Sequence, residues 1–321
     1  MLDALLSVIL IIIAYKIYKW VKGRPRIQNT HNKFVLITGC DSGFGREDAI
    51  RLDGLGFRVF AACLTEKGEE GIRKSCSERV VTLRMNVADH ESVKQGLQTV
   101  KGHVGEKGLW GLVNNAGISG RVAGNMDWLN LQDYHQVFAV NFFGLVDVTH
   151  TFLPLLKKAG GRIVNMSSCT ARMEPGTGPY AASKFAVEGF SDGLRRCLQT
   201  AGVSVHIIEP GYFKTPMTKA NNIAQKIKSV WDSLEPERKE EIGEEAFQAK
   251  TQDVLKHLDL ICSPRLDLVV DAIEHALTAV RPRSRYVCGW DAKLIFIPLS
   301  WLPTDIGDAI FAWVTPKPAS K

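Results

Sequence analysis

A doubly wound α/β fold, one parallel sheet with helices on both faces, is what the sequence predicts for residues 33–290. Short apolar, β-branched runs recur along the chain with helical stretches between them. These runs are apolar throughout rather than alternating, which is the pattern of strands buried from both sides. A glycine-rich turn also stands directly between the first run and the first helix, the usual position of a dinucleotide-binding turn in such a sheet.

The elements follow in order. Phe34–Thr38 is the first strand, with a helix over Gly45–Leu55. Arg58–Leu64 reads as the second strand, Val80–Val87 as the third and Leu109–Val113 as the fourth. Residues 127–158 carry long apolar helical periodicity, which Pro154 is expected to break. Arg162–Met166 is the fifth strand, a helix covers 180–200, and Val203–Ile208 is the sixth strand. A weak seventh follows at Tyr286–Cys288. Between the last two, residues 216–262 are helical, and Ile223, Ile227, Val230, Trp231 and Leu234 share one face. That face either packs on the sheet edge or forms a lid over an apolar substrate.

The flanks differ from this core. Residues 1–20 hold a run centred on Leu5–Ile13, long enough at 1.5 Å per residue to span about 30 Å. Neither basic residues before it nor a small-residue cleavage site after it favour a removed signal peptide. An uncleaved membrane anchor is expected, followed by a basic linker over 21–32. The cations all follow the apolar run, which places the domain on the cytosolic side. At the other end, residues 291–321 form an apolar tail interrupted by Pro298 and Pro303, a cap on the domain or a membrane-interfacial segment.

Composition excludes several classes. With 45% hydrophobic and 23% charged residues the chain is neither disordered nor a multi-span membrane protein. Five of its six net positive charges fall within residues 1–33, so the rest carries no field for nucleic acid. The seven cysteines are scattered and contain no C-x-x-C pair, which argues against a disulfide scaffold and a structural zinc. The eight histidines lack metal-like spacing, and His206 inside the sixth strand reads as a packed histidine. Glu69-Glu70 and the run 235–245 read as solvated helix faces.

The chemistry starts at Thr38-Gly-Cys-Asp-Ser-Gly-Phe-Gly45. Gly39, Gly43 and Gly45 allow a tight turn and a close backbone approach, and the helix N-terminus offers free N–H groups to a pyrophosphate. Tyr180 and Lys184 are one helical turn apart, so an ammonium can favour the phenolate. A phenol of pKa about 10 must fall by about 3 units to serve as a base, which takes about 4 kcal/mol. Ser168, twelve residues before Tyr180, can hold the oxygen of an alcohol.

The G-x-x-x-G-x-G spacing resembles the short-chain dehydrogenase/reductase family, and its landmarks recur in order. They are Asn114-Asn-Ala-Gly117, Asn141 within Val-Asn-Phe-Phe-Gly144, Ser167-Ser168, Tyr180-Ala-Ala-Ser-Lys184, and Pro210-Gly211 with Thr215. The resemblance implies Tyr180 as general base, Lys184 as its electrostatic partner, Ser168 as the group that holds the substrate with Tyr180, and Asn141 on a water-linked proton path. A gap of thirteen, frequent in the family, would select Ser167, but strand alternation and the alignment of the pair favour Ser168. For the cofactor it implies contacts along Thr38, Gly39, Asp41, Ser42, Gly43, Phe44 and Gly45. It adds Cys63, Asn86, Val87, Asn115, Ala116 and Gly117, then Tyr180, Lys184, Pro210, Gly211 and Thr215.

Where family members that bind NADP carry a base, this chain has Ser42 and Ala62-Cys63-Leu64. The aspartate that marks NAD selectivity after strand two is also absent. Asp41 adds negative charge, so NAD is expected over NADP. The stretches Ala61-Ala-Cys-Leu-Thr-Glu66, Gly108-Leu-Trp-Gly-Leu-Val-Asn-Asn-Ala-Gly117 and Asp291-Ala-Lys293 resemble the retinol and hydroxysteroid dehydrogenase branch. That likeness implies oxidation of a lipophilic alcohol, retinol or a 3α- or 17β-hydroxysteroid, at the endoplasmic reticulum membrane. It also implies a homodimer as the frequent assembly. Epimerisation at one carbon, or an NAD-binding scaffold without turnover, are the alternatives. The scaffold reading is disfavoured because Tyr180, Lys184, Ser168 and Asn141 are all present.

Overall fold

The computed structural model describes residues 21–122 and 125–314, together with Ser7, Leu10, Ile11, Ala14, Tyr15 and Tyr18. Strands β1 (Phe34–Thr38), β2 (Arg58–Cys63), β3 (Val81–Arg84), β4 (Gly111–Asn114), β5 (Arg162–Met166), β6 (Ser204–Pro210) and β7 (Arg285–Cys288) form one sheet. Its order is β3-β2-β1-β4-β5-β6-β7, and every pairing is parallel. The chain runs outward from β1 one way and, from β4, the other. The crevice between the C-terminal ends of β1 and β4 is therefore the topological switch point where ligands bind in such sheets.

Connecting helices are α1 (Gly43–Gly54), α2 (Glu66–Ser75), α3 (His90–Val104), α4 (Leu131–Phe138), α5 (Leu145–Ala159) and α6 (Pro179–Cys197). After β6 come α7 (Ala220–Asp232), α8 (Pro236–Ile242), α9 (Glu244–Ile261) and α10 (Asp267–Thr278), and the tail carries α11 (Thr304–Val314). Alternate residues of each strand enter opposite cores. Val35, Ile37, Val59 and Ala61 pack under α1, α2 and α10, with Leu52, Ile72 and Ile273. Phe34, Leu36, Phe60 and Leu112 pack under α3 and α5, with Val100, Phe152 and Leu156. This two-sided burial is why the strands read as continuous apolar runs.

Two expectations are corrected here. Pro154 lies inside α5 and does not end it. Its local cost of about 3 kcal/mol is outweighed by burial of Val148, Phe152, Leu155 and Leu156, at about 1.5–3 kcal/mol each. Glu69 is not a solvated residue: it is 7% exposed and pairs with Arg73 and Arg84, each at 3.2 Å.

Most of the expected anchor, residues 1–20, lies outside the described residues. Leu10, Ile11, Tyr15 and Tyr18 within it are helical and exposed. The middle of the basic segment is pinned to the domain: the Ile27 N–H donates to the Thr278 carbonyl at 2.7 Å, and the Val280 N–H to the Pro25 carbonyl at 2.9 Å. Among the described residues, Leu131–Ala159 is long and apolar enough to cross a membrane, yet it is the helical run whose Phe152 and Leu156 fill the core. In the tail, Phe296 and Ile297 are buried as a cap, whereas Leu294, Trp301 and Ile306 are exposed.

Candidate active site

The glycine turn closes the gap between β1 and α1 by backbone contact. Gly39 has φ +72°, and a Cβ there would lie 2.8 Å from the Ala116 Cα; a Cβ on Gly45 would run into Asn115 Nδ2 and the Gly39 carbonyl. Thr38 and Asn115 lock this geometry. Thr38 Oγ1 accepts the N–H groups of Asn115 (3.1 Å) and Ala116 (3.0 Å), while Asn115 Nδ2 donates to the carbonyls of Thr38 (2.8 Å) and Gly39 (3.1 Å). Gly43, at φ +61°, faces Thr215 across the turn. Ser42 is extended and precedes α1 without capping it, so the first N–H groups of that helix lack a side-chain acceptor there, as suits an anion. A backbone cradle that any side chain would fill fits a diphosphate.

The remaining positions of the expected cofactor set take several roles. Asp41 is fully engaged, accepting from Leu64 N (2.7 Å), Thr65 N (2.9 Å) and Thr65 Oγ1 (2.6 Å), so its charge is fixed at the end of β2. Cys63 sends its thiol into the core, where burial pushes it up to about 12, and leaves only backbone to the crevice. Phe44 packs edge-on against Phe213 with centroids 5.6 Å apart, so its place at the turn is also a backbone one. Asn86 Oδ1 accepts the Ala88 N–H at 3.1 Å and shapes the turn after β3, and Val87 lies against Gly144. Gly117 borders both Asn141 Oδ1 and Lys184 Nζ, and Gly211 follows Pro210 at the end of β6.

Ser168, Tyr180 and Lys184 meet beyond β5. Ser168 Oγ accepts from Thr170 N (3.2 Å) and Thr170 Oγ1 (3.0 Å). A hydroxyl that accepts twice has its proton left to offer, and the Tyr180 phenol, whose pKa Ser168 lowers, lies beside it. Ser167 Oγ, by contrast, is buried without a partner among the described residues, so the second serine of the pair is the one at the phenol. Lys184 Nζ donates to the Met166 carbonyl at 2.8 Å and lies 5.7 Å from the Tyr180 ring centroid. Burial pulls its ammonium down to about 8, with Glu188 one turn on opposing that shift. Burial also pushes the Tyr180 phenol up to about 12, Ser168 acting the other way. The protein alone therefore does not hold an acidified phenol: its lysine is turned to a carbonyl.

Asn141 sits in a π-helical turn, Ala139–Gly144, between α4 and α5. That extra residue per turn points its fully buried amide at the site. Oδ1 accepts the Ile118 N–H at 2.8 Å; Nδ2 donates to the Ile118 carbonyl (2.9 Å) and to Ser183 Oγ (3.0 Å). It thus joins the β4 loop to α6, leaving one Oδ1 lone pair for a water.

Sequence reasoning missed the far wall. Tyr212 follows Pro210-Gly211, packs against Phe296 with the rings tilted by 37° and centroids 5.8 Å apart, and is held by Asp291, whose Oδ2 accepts its N–H at 2.6 Å. Cys169, Ile261, Cys262, Ala292 and Phe296 pack with Tyr212 and Leu258 into an apolar cluster. Leu258 also joins the cluster of α7–α9, formed by Ile223, Ile227, Phe247, Trp128 and Val122, which makes one continuous apolar wall. Residues 216–262 thus include the apolar face read from the sequence. An aromatic residue right after Pro-Gly at a strand end was the available signal for Tyr212.

Comparison with known proteins agrees with this geometry. A model of the family described as short chain dehydrogenase matches residues 33–226, and the chain belongs to that family as an oxidoreductase. It is 47% identical over 305 residues to human (Homo sapiens) 17-beta-hydroxysteroid dehydrogenase type 6, covering 95% of this chain and 96% of that one. Human retinol dehydrogenase 16 is likewise 47% identical, with the same coverage of each chain, which places the chain in the retinol and hydroxysteroid dehydrogenase branch. Among solved structures, a short chain dehydrogenase/reductase from Burkholderia phymatum in complex with NAD aligns at TM-score 0.67 and 22% identity, covering 90% of this chain and 97% of that one. One from Burkholderia cenocepacia in complex with NADP aligns at 0.63 and 22%, covering 88% and 98%. At those identities the likeness concerns the fold.

Proposed function

We propose that this protein oxidises a lipophilic secondary or allylic alcohol, a retinol or a 3α- or 17β-hydroxysteroid, to its carbonyl with NAD. The observation that carries the reading is the Ser168–Tyr180–Lys184 group beside a glycine turn with no room for side chains. Relatives named for retinol and for hydroxysteroids, and an apolar wall running from Tyr212 to the lid, support the substrate class.

When bound, NAD supplies the hydride acceptor and a positively charged ring. The chain's own residues handle the proton. Ser168 donates to the alcohol oxygen and orients it, and Tyr180 takes the hydroxyl proton. Bringing a phenol from about 12 to near neutrality needs about 5 units, about 7 kcal/mol of phenolate stabilisation. The Lys184 ammonium is within reach to contribute once it turns from the Met166 carbonyl, and Glu188 keeps it charged. Asn141 and the Ile118 loop can hold the water through which Lys184 exchanges protons with solvent.

NAD is preferred to NADP because the end of β2 carries the engaged Asp41 carboxylate, and the nearby Arg73 and Arg84 are both occupied by Glu69. The apolar run of residues 1–20 is read as an anchor in the endoplasmic reticulum membrane with the domain on the cytosolic face. The test is turnover by the full chain in detergent, following NADH fluorescence, with all-trans-retinol and a panel of hydroxysteroids. Oxidation of at least one, faster with NAD than NADP, is expected; no oxidation of any would overturn the reading.

A further inference from the structure

Among the described residues, Lys226 is a cation without an ion-pair partner in the apolar lid. It lies on α7 between Ile223 and Ile227, both buried in the lid cluster. Its Nζ donates to Ser119 Oγ at 2.5 Å, two residues after Gly117, which touches Lys184 and Asn141. Two residues of chain span at most about 7 Å, so the ammonium is held on the loop that borders Lys184. Three acids of its surroundings are engaged elsewhere: Asp133 by Arg121 at 2.6 Å, Asp232 by Lys228 at 2.6 Å, and Asp127 by Arg238. Among the described residues none forms an ion pair with Lys226, and burial alone lowers its pKa. A half-buried ammonium carries three donors, and one hydroxyl satisfies one of them.

We infer that Lys226 is a specificity residue that selects lipophilic alcohols bearing a second oxygen acceptor, best a carboxylate, away from the reacting carbon. This rests on the oxidoreductase reading above and extends it to substrate choice. A plain hydrocarbon alcohol would bury the ammonium with no acceptor besides Ser119 Oγ, whereas a carboxylate would satisfy its remaining donors and charge. Ser119 then serves as the partner that positions Nζ.

The full chain in detergent is assayed with a 3α-hydroxysteroid carrying a side-chain carboxylate and with the same steroid lacking it. The same pair is tested in Lys226→Met and Lys226→Arg. The ratio of kcat/KM, acid over neutral, is expected to fall about tenfold or more in Lys226→Met, through KM, and to recover in Lys226→Arg. Calorimetric binding of a steroid carboxylate without the alcohol gives the same comparison independent of turnover. Absent turnover of both alcohols would count against the oxidoreductase reading alone, and the binding arm would still decide this one. An acid-to-neutral ratio and carboxylate affinity unchanged in Lys226→Met would overturn it, leaving Lys226 as a latch between α7 and the β4 loop.

Discussion

Asp291 accepts the Tyr212 N–H through Oδ2 at 2.6 Å, while its other oxygen, fully buried, has no partner among the described residues. The carboxylate lies between Gly211 and Gly289, either of which would drive a Cβ into it. It ties the turn after β6 to the segment that carries Phe296. Loss of the acceptor should release the Pro210–Gly211–Tyr212 turn. Asp291→Ala is expected to lower stability by about 1–3 kcal/mol and weaken cofactor binding several-fold, while Asp291→Asn, which can still accept the Tyr212 N–H, should keep most of both. Thermal unfolding and a fluorescence titration with cofactor read the two effects. Equal loss in both variants would mean that charge, not the acceptor, matters at this position.

Tyr180→Phe removes the oxygen that takes the proton and leaves the glycine turn untouched. Turnover should fall by about 10³-fold or more while cofactor affinity changes little. Ser168→Ala should also be severely impaired, and Ser167→Ala should not, because Ser167 Oγ makes no hydrogen bond among the described residues. Single-turnover kinetics with each variant measures this; a Ser167→Ala enzyme as slow as Ser168→Ala would reassign the pair.

Much of this fold is legible from residue type because strands such as β1 are apolar from Phe34 through Ile37, as both cores require. The order of Tyr180, Lys184 and Ser168 is legible for a similar reason: helix and strand spacing brings them together. The π turn at Asn141 is not. Nothing in Ala139–Gly144 breaks an α-helix, and the extra residue is set by bonds to Ile118 and Ser183, distant in sequence. Asp291 reads as a polar residue near the tail because its partner lies 79 residues away. Glu69 looks like a surface acid until β3 brings Arg84 beside it.

Asp48 tests the cost of a polar residue that no element satisfies. It is 1% exposed in α1, and neither carboxylate oxygen finds a partner among the described residues. Burial holds its pKa well above the usual carboxylate range, with Arg51 opposing. A raised folded-state pKa contributes stability only at low pH, and that contribution is lost as pH rises through it. Asp48→Leu should therefore stabilise the protein near neutrality by about 2 kcal/mol, raising Tm by roughly 3 °C, with a smaller gain in acid. Differential scanning calorimetry at both pH values decides; a lower Tm near neutrality would show that an ordered partner satisfies Asp48.

His206 predicts an acid limb of the opposite sign. Its Nδ1 donates to the Arg283 carbonyl at 2.6 Å and its Nε2 accepts from Ser204 Oγ at 2.8 Å, which fixes the neutral tautomer. Burial pulls its pKa from 6.5 to about 4. In the unfolded chain the ring binds its proton near 6.5, so the folded state is favoured fully above that pH and progressively less as pH falls toward 4. The loss amounts to on the order of 3 kcal/mol across that window. His275 adds in the same direction: burial likewise takes it to about 4, with Tyr286 on one ring nitrogen and the Gly23 carbonyl on the other. Urea unfolding at a series of pH values should show stability dropping through this range in the wild type. His206→Gln, which can keep both hydrogen bonds without a titrating ring, should be shallower there by about one proton's slope, and an acid limb identical to the wild type's would show that the ring is not buried neutral.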